Sequence, residues 1–250
     1  MKYNSFAIIF LLSLVFNFTH GAQRIFKFAM EATYPPFEMV DEHGNIEGFD
    51  IDIARLICND MHVKCEFVNQ PFDSLIPNLN IGKFNAIISA MNITKERACV
   101  VDFSIPYYAN GVSFALPKRN NFSNAQAWFI GKSIGVQQGT LLEQFLRNTY
   151  GKISTIKAYA SIQSAFLDIE AKRLDAILGD APIMTQWVKL KGDDEYVTIE
   201  YNIIDSTYVI NGYGIALKKG NIQDLNQINF AIKKLQNNGE IIKIAKRYFK

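Results

Sequence analysis

The sequence predicts an α/β protein of two lobes, each a small sheet flanked by helices, with a ligand cleft between them. Three observations predict it. Short apolar runs alternate with amphipathic segments along the chain, the pattern of strands connected by helices. One local design occurs twice, as KFNAIISAMN at residues 83–92 and RLDAILGDAP at residues 173–182: a basic residue, an apolar run, then small or polar residues at its end. Each copy follows a helical pattern, SLIPNLNIGKFNAII and SAFLDIEAKRLDAIL, so each half of the chain carries its own sheet.

The chain opens with MKYNSFAIIFLLSLVFNFTHGAQR: a short basic start, an apolar core from Phe6 to Phe16, and small residues at Gly21 and Ala22. That is the layout of a cleaved secretory signal peptide over residues 1–22. The apolar run is shorter than the ~20 residues a membrane span needs. Strands are expected at Ile25–Ala29, Val63–Phe67, Ala86–Ser89, Ser133–Val136, Ser154–Ala158, Ala176–Leu178 and Tyr213–Leu217. Helices are expected at Ile51–Asn59, Phe72–Leu79, Leu141–Asn148, Ile162–Ala171, Pro182–Leu190, Leu225–Asn237 and Glu240–Tyr248. Thr140 with Glu143 reads as a capping box, Gly151 as a helix end and Asp224 as the residue before a helix start. Residues 23–110 and 206–250 form the first lobe and 111–205 the second. The chain leaves the first lobe around Tyr107–Ala115 and returns near Asp205–Gly212.

The 250 residues are 49% hydrophobic and 20% charged, with a formal net charge of +2. This is ordinary globular composition, and it offers no electrostatic case for nucleic acid or an anionic membrane as partner. Export changes how the cysteines read. Cys58 and Cys65 flank NDMHVK, where a helix hands over to a strand, and are either a disulfide or two buried thiols. Cys99, beside Val100 and Val101, is expected to be a small apolar side chain. No metal or cofactor is expected: His20 leaves with the leader, and His43 and His62 sit in polar turns without a ligand-spaced partner. A monomer is expected.

In open α/β sheets, ligands bind off the carboxyl ends of the strands. Ser89 and Asp180 are expected there, one from each lobe, facing across the cleft. Glu31 follows the first strand and leads into the stiff aromatic turn Tyr34-Pro35-Pro36-Phe37. Phe72 opens a helix, and an aromatic face near a carboxylate suits a cation. Arg97 offers the best fork for a carboxylate. Gln137 and Gly139 lead to the helix start at Thr140, whose backbone N–H groups and dipole suit an anion. Each has a bland counterpart: a solvated loop charge for Glu31, core packing for Phe72, a surface charge for Arg97, an ordinary cap for Thr140. Jointly they describe the carboxylate, ammonium and cationic side chain of an amino acid.

EATYPPFE, GFDIDIARLI, FDSLIPNLNIGKFNAIISAMNITKERACVVDFSIPYY, GVQQGTLLEQF and RLDAILGDAP also resemble the periplasmic polar-amino-acid-binding proteins of ABC importers, most of all the arginine-binding branch. The resemblance covers the mature chain in order. It implies a type II periplasmic-binding-protein-like fold that closes on its ligand about a hinge of two crossing strands. It implies a basic L-amino acid as ligand, arginine first, with lysine, ornithine, citrulline and histidine open and glutamine, which would leave Glu31 without a charged partner, behind them; it also implies an inner-membrane ABC permease as partner. Arg97 is then expected to clamp the α-carboxylate with backbone N–H groups at Asn92 and Thr140. Asp180, as both helix cap and ligand, takes the α-ammonium with Ser89 or its neighbouring carbonyl. Tyr34 and Phe72 sandwich the side chain and Glu31 meets its far positive end. Cys58 and Cys65 fall where lysine/arginine/ornithine and histidine binders place a disulfide. The chain departs from these patterns at Ala90, where a Ser is common, at Leu141, where a Thr is, and at Asn92, where arginine binders often carry Asp.

Two other classes were weighed. The same fold carries cyclohexadienyl dehydratases, in which Glu31 could act as a general acid; the sequence shows no Ser–His or Cys–His pair for nucleophilic chemistry. A sensor ectodomain is disfavoured by a chain ending at Arg247-Tyr248-Phe249-Lys250 without a second apolar span.

Overall fold

The computed structural model describes residues 23–118, 122, 126–192, 194–203 and 211–249. The signal-peptide segment and the expected return at 206 lie outside the described residues. In chain order come β1 (Ile25–Met30), β2 (Thr33–Tyr34), β3 (Glu38–Val40), β4 (Ile46–Glu47), α1 (Phe49–Asp60), β5 (Lys64–Asn69) and a 3-10 turn at Phe72–Ser74 that runs into α2 (Leu75–Asn80). Then follow β6 (Ala86–Ile87), α3 (Lys95–Ala98), β7 (Val101–Phe103), β8 (Val112–Pro117), β9 (Ser133–Gln137), α4 (Leu141–Tyr150), β10 (Thr155–Tyr159) and α5 (Ile162–Glu170). The chain continues through β11 (Ala176–Asp180), α6 (Ala181–Lys191), β12 (Tyr196–Glu200), β13 (Ala216–Lys218), α7 (Ile222–Asn237) and α8 (Glu240–Tyr248).

Two five-stranded sheets result, one ordered β5-β1-β6-β13-β7 and the other β10-β9-β11-β8-β12. β1 lies parallel to β5 and β6, and β9 lies parallel to β10 and β11, so within each sheet these three strands point their carboxyl ends the same way. In β1 the odd residues Ile25 and Lys27 are exposed while Phe26 and Phe28 are buried, the period-2 signature that set its face. β11 is buried throughout, as a central strand covered on both faces must be. Gly135 in β9 permits that cover: a Cβ there would stand 2.6 Å from Leu174 Cδ1. α4 buries Leu141, Leu142, Phe145, Leu146 and Tyr150, one stripe at helical spacing. In the first lobe Phe37 is fully buried, its ring 4.9–5.7 Å from those of Phe49, Tyr108, Tyr213 and Phe249. Truncating such a residue to Ala costs about 3–5 kcal/mol.

Several expectations change. β8, β12, β7 and the small sheet β2-β3-β4 were not anticipated; β8 in particular is the antiparallel strand between β11 and β12. The strand expected at Tyr213–Leu217 begins only at Ala216, because Tyr213 forms isolated bridges to Asn92 and Tyr108 next to Gly212 at φ +83°. Asp224 does not precede its helix; α7 starts at Ile222, with Asp224 in the first turn. Cys58 and Cys65 form a disulfide, Cα atoms 5.8 Å apart, tying α1 to β5. Cys99 is a free thiol and exposed rather than packed, because it falls on the outer side of the short α3 turn. Among the described residues no helix is long and apolar enough to cross a membrane.

Candidate functional site

A cavity lies between the two sheets, and every residue singled out for the ligand lines it. Glu31 follows β1 directly; Ser89 and Ala90 come just after β6; Asn92 and Arg97 lie in and after the loop to α3. Tyr34 ends β2 and Phe72 opens the 3-10 turn before α2. From the opposite lobe, Gln137 ends β9, Thr140 caps α4 and Asp180 ends β11. The parallel-strand topology therefore brings together residues that are far apart in the chain.

Asp180 occupies the N-cap position of α6 but makes no side-chain cap bond, so its side chain does not cap the helix as expected. Its carboxylate is turned into the cavity instead. Oδ2 accepts the hydroxyls of Tyr34 and Tyr213, each at 2.8 Å; Oδ1 accepts the amides of Asn92 at 3.1 Å and Asn110 at 2.6 Å. Burial raises its pKa, and the bonds from Asn110, Tyr213, Tyr34 and Asn92 oppose that rise by favouring the anion.

Arg97 is half-buried above the ring of Phe72, its guanidinium carbon 5.2 Å from the centroid. Its fork donates to the carbonyls of Asn92 at 3.0 Å and of Gly139, across the cleft, at 3.3 Å. The walls around it lower its pKa to about 10, partly offset by the charges of Asp180 and Glu96, so it stays protonated at neutral pH. Thr140 Oγ1 accepts the Glu143 amide at 3.2 Å while the Glu143 carboxylate accepts the Gly139 amide at 2.8 Å, one residue before the cap, so the expected capping box closes on Gly139 rather than on Thr140 itself. A helix N-terminus so braced points at the cavity beside Arg97.

Glu31 is 5% exposed. Its two oxygens accept Thr33 Oγ1 and, from the opposite lobe, Gln137 Nε2. Burial raises its pKa; those two bonds lower it, and Asp73 raises it further. Among the described residues Glu31 makes no ion pair. Ser89 presents its backbone to the cavity but not a free hydroxyl, since that group accepts the Glu31 amide at 3.0 Å and donates to Glu38 at 3.0 Å.

Sequence reasoning passed over Glu38, Asn110 and Tyr213. Glu38 stood in the quoted EATYPPFE and could have been weighed as a second acid at the pocket; Asn110 and Tyr213 lie in segments between lobes, where no local pattern points to Asp180. Beside the cavity, a groove between α3 and α4 is lined by Glu96, Arg97, Val100, Gly139 and Gln144. Among the described residues no cluster of His, Cys, Asp and Glu is placed to hold a metal ion.

The chain resembles proteins of one kind throughout its length. It is 39% identical over 238 residues to the arginine-binding periplasmic protein of Mannheimia haemolytica, covering 95% of this chain and 97% of that one. It is 35% identical over 241 residues to the ABC transporter arginine-binding protein 1 of Escherichia coli K12, covering 96% and 97%. Among solved structures, a periplasmic binding protein of Salmonella typhimurium described for its high arginine specificity superposes with a TM-score of 0.82 at 35% identity, covering 91% of this chain and all of that one. The profile of the bacterial extracellular solute-binding proteins, family 3, matches residues 26–250, and the chain belongs to that family.

Proposed function

We propose that this chain is the periplasmic arginine-binding component of an ABC amino-acid importer, exported by residues 1–22 and delivering its ligand to an inner-membrane permease. One observation carries the reading: the set of charges that lines one cavity. Arg97 with the Thr140 cap of α4 is the first, Asp180 the second and Glu31 the third. An α-carboxylate matches the first, an α-ammonium the second and a guanidinium the third, so each buried charge gains a partner. A neutral side chain leaves Glu31 unmatched. The arginine-binding relatives support the same choice.

Binding proceeds by lobe closure and involves no chemistry. The contacts that cross the cleft, Glu31 to Gln137 and Asp180 to Tyr34 and Asn92, belong to the closed arrangement. Ligand favours closure by as much as it binds the closed lobes better than the open ones. The permease then reads the two lobes together, and the chain acts as a monomer.

Calorimetry on the mature chain, unfolded and refolded to strip bound ligand, tests the reading with L-arginine, L-lysine, L-histidine and L-glutamine. One-to-one arginine binding with far weaker glutamine is expected. A glutamine preference would keep the α-amino-acid clamp and remove Glu31 from its role. If no amino acid binds and prephenate or arogenate is turned over, the chain is a dehydratase.

A further inference from the structure

Glu38 lines the cavity and Asp50 does not, and the two acids are 1% and 0% exposed. Asp50 Oδ2 accepts the Ala90 amide at 2.7 Å and the Tyr107 hydroxyl at 2.8 Å. Glu38 Oε1 accepts the Ser89 hydroxyl at 3.0 Å, and that hydroxyl in turn accepts the Glu31 amide. The remaining oxygens, Glu38 Oε2 and Asp50 Oδ1, are buried without any N–H or hydroxyl donor. The two acids hold adjacent residues of one turn, Glu38 through the Ser89 hydroxyl and Asp50 through the Ala90 amide, which leaves each orphaned oxygen only the other acid's proton to share. Two carboxyl groups can bond only when one of them carries a proton.

Charge around the pair decides which. Glu31 at the end of β1 faces Glu38 with its own negative charge; Tyr34 of β2 and Tyr107, after β7, are neutral hydroxyls. Among the described residues neither acid makes an ion pair with Lys, Arg or His. Asp50 is in the first turn of α1 and holds two donors, both of which favour its anion. Burial and the Asp50 charge push the Glu38 carboxyl well above the usual range.

We propose that Glu38 is a neutral acid sharing its proton with Asp50, and that this singly charged pair positions the Ser89–Ala90 turn under the ligand. Ala90 sits at φ +41°, which a residue with a Cβ holds only when its surroundings enforce it. The bond from its amide to Asp50 is that enforcement. Through Ser89, the same pair holds the backbone that carries Glu31. Loss of the Glu38 proton sets two buried anions against each other with no cation between them, and the turn beneath the ligand gives way.

The inference deepens the arginine-binding reading and rests on it for one of two readouts. Carbon NMR of glutamate-labelled, ligand-free protein in a Glu31→Gln background should show one glutamate carboxyl still protonated near pH 7, where an ordinary glutamate, titrating at about 4.3, is fully ionised. Finding every glutamate ionised there overturns the proposal. The second readout is arginine affinity against pH for the native chain and Glu38→Gln, whose amide can accept from Ser89 and donate to Asp50 without a proton. Each chain's affinity is referred to its own value at neutral pH, where both bonds can form in the variant. As pH rises to about 9.5 the native chain should lose about tenfold more affinity than the variant; the ligand's own ammonium titrates equally in both, so the ratio isolates Glu38. Parallel pH profiles, or a Glu38→Gln chain that folds and cannot bind, overturn the positioning role. If the native chain binds no arginine at any pH, the functional reading fails while the carbon spectrum still decides the pair.

Discussion

Glu31→Gln removes one charge and almost no volume, so its effect can be worked from the site. The carboxylate has two protein partners, the Thr33 hydroxyl and the Gln137 amide, and no cation. In the variant Thr33 can still donate to the amide oxygen, and Gln137 restores its own bond by flipping its amide to accept. The protein network therefore survives. What is lost is the charge-assisted bonding to a guanidinium, a contribution of about 1.5–3 kcal/mol, and a buried cation left unpaired can cost about 3–5 kcal/mol. Part is returned, because burial already disfavours the Glu31 anion in the free site and raises its pKa. The net expectation is a loss of about 2–4 kcal/mol for L-arginine, roughly thirty- to several-hundred-fold in Kd, with glutamine affinity changed by less than about tenfold. Calorimetry of the native chain and the variant with both ligands reads the affinities. An equal loss for arginine and glutamine would make Glu31 a structural residue; unchanged arginine affinity would put the guanidinium elsewhere.

Asp180→Ala should weaken every α-amino acid by about 2–5 kcal/mol, since a buried ammonium then lacks its anion; fluorescence titration with arginine and glutamine checks that both fall together. Glu31, Glu38, Asp50 and Asp180 all bind protons more tightly folded than unfolded, so their contribution to stability is complete below the ordinary carboxylate range near 4 and is lost as pH rises through their raised values. Asp41 and Asp168, held low by hydrogen bonds, act oppositely and only in stronger acid. Scanning calorimetry should therefore find a higher Tm at about pH 5 than at about pH 8, and a flat or reversed trend contradicts these four assignments. Reducing Cys58–Cys65, a closure across a sequence separation of 7, should lower stability by about 2 kcal/mol, measured by urea unfolding with and without reductant.

Much of this architecture can be read from local pattern. α4 and α5 announce themselves through apolar spacing and side-chain caps at Thr140 and Ser161, and β9 and β11 through short apolar runs between helices. β8 and β12 could not be read the same way. VSFALP finds its neighbours in β11 and β12, more than sixty residues on, and an apolar run alone does not say which sheet it enters. The site divides similarly. Glu31, Arg97 and Asp180 are charged residues at strand ends or in the loops beyond them, which is a sequence-level signal. Asn110 and Tyr213 donate to Asp180 across 70 and 33 residues, and nothing near them points there. Asp50 reads locally as an acid complementing the α1 dipole; that it meets Glu38 is settled only by packing.

The exposed Cys99 has a practical consequence. It stands at the end of α3, beside Val100 on the rim of the groove where α3 meets α4 of the other lobe, while the remaining two cysteines are locked in their disulfide. A thiol-reactive dye will therefore attach at one place, on the moving edge of the closure, without any engineered cysteine. Its emission will change as Gln144 and Gly139 approach or recede, which turns the native chain into an optical reporter of free ligand.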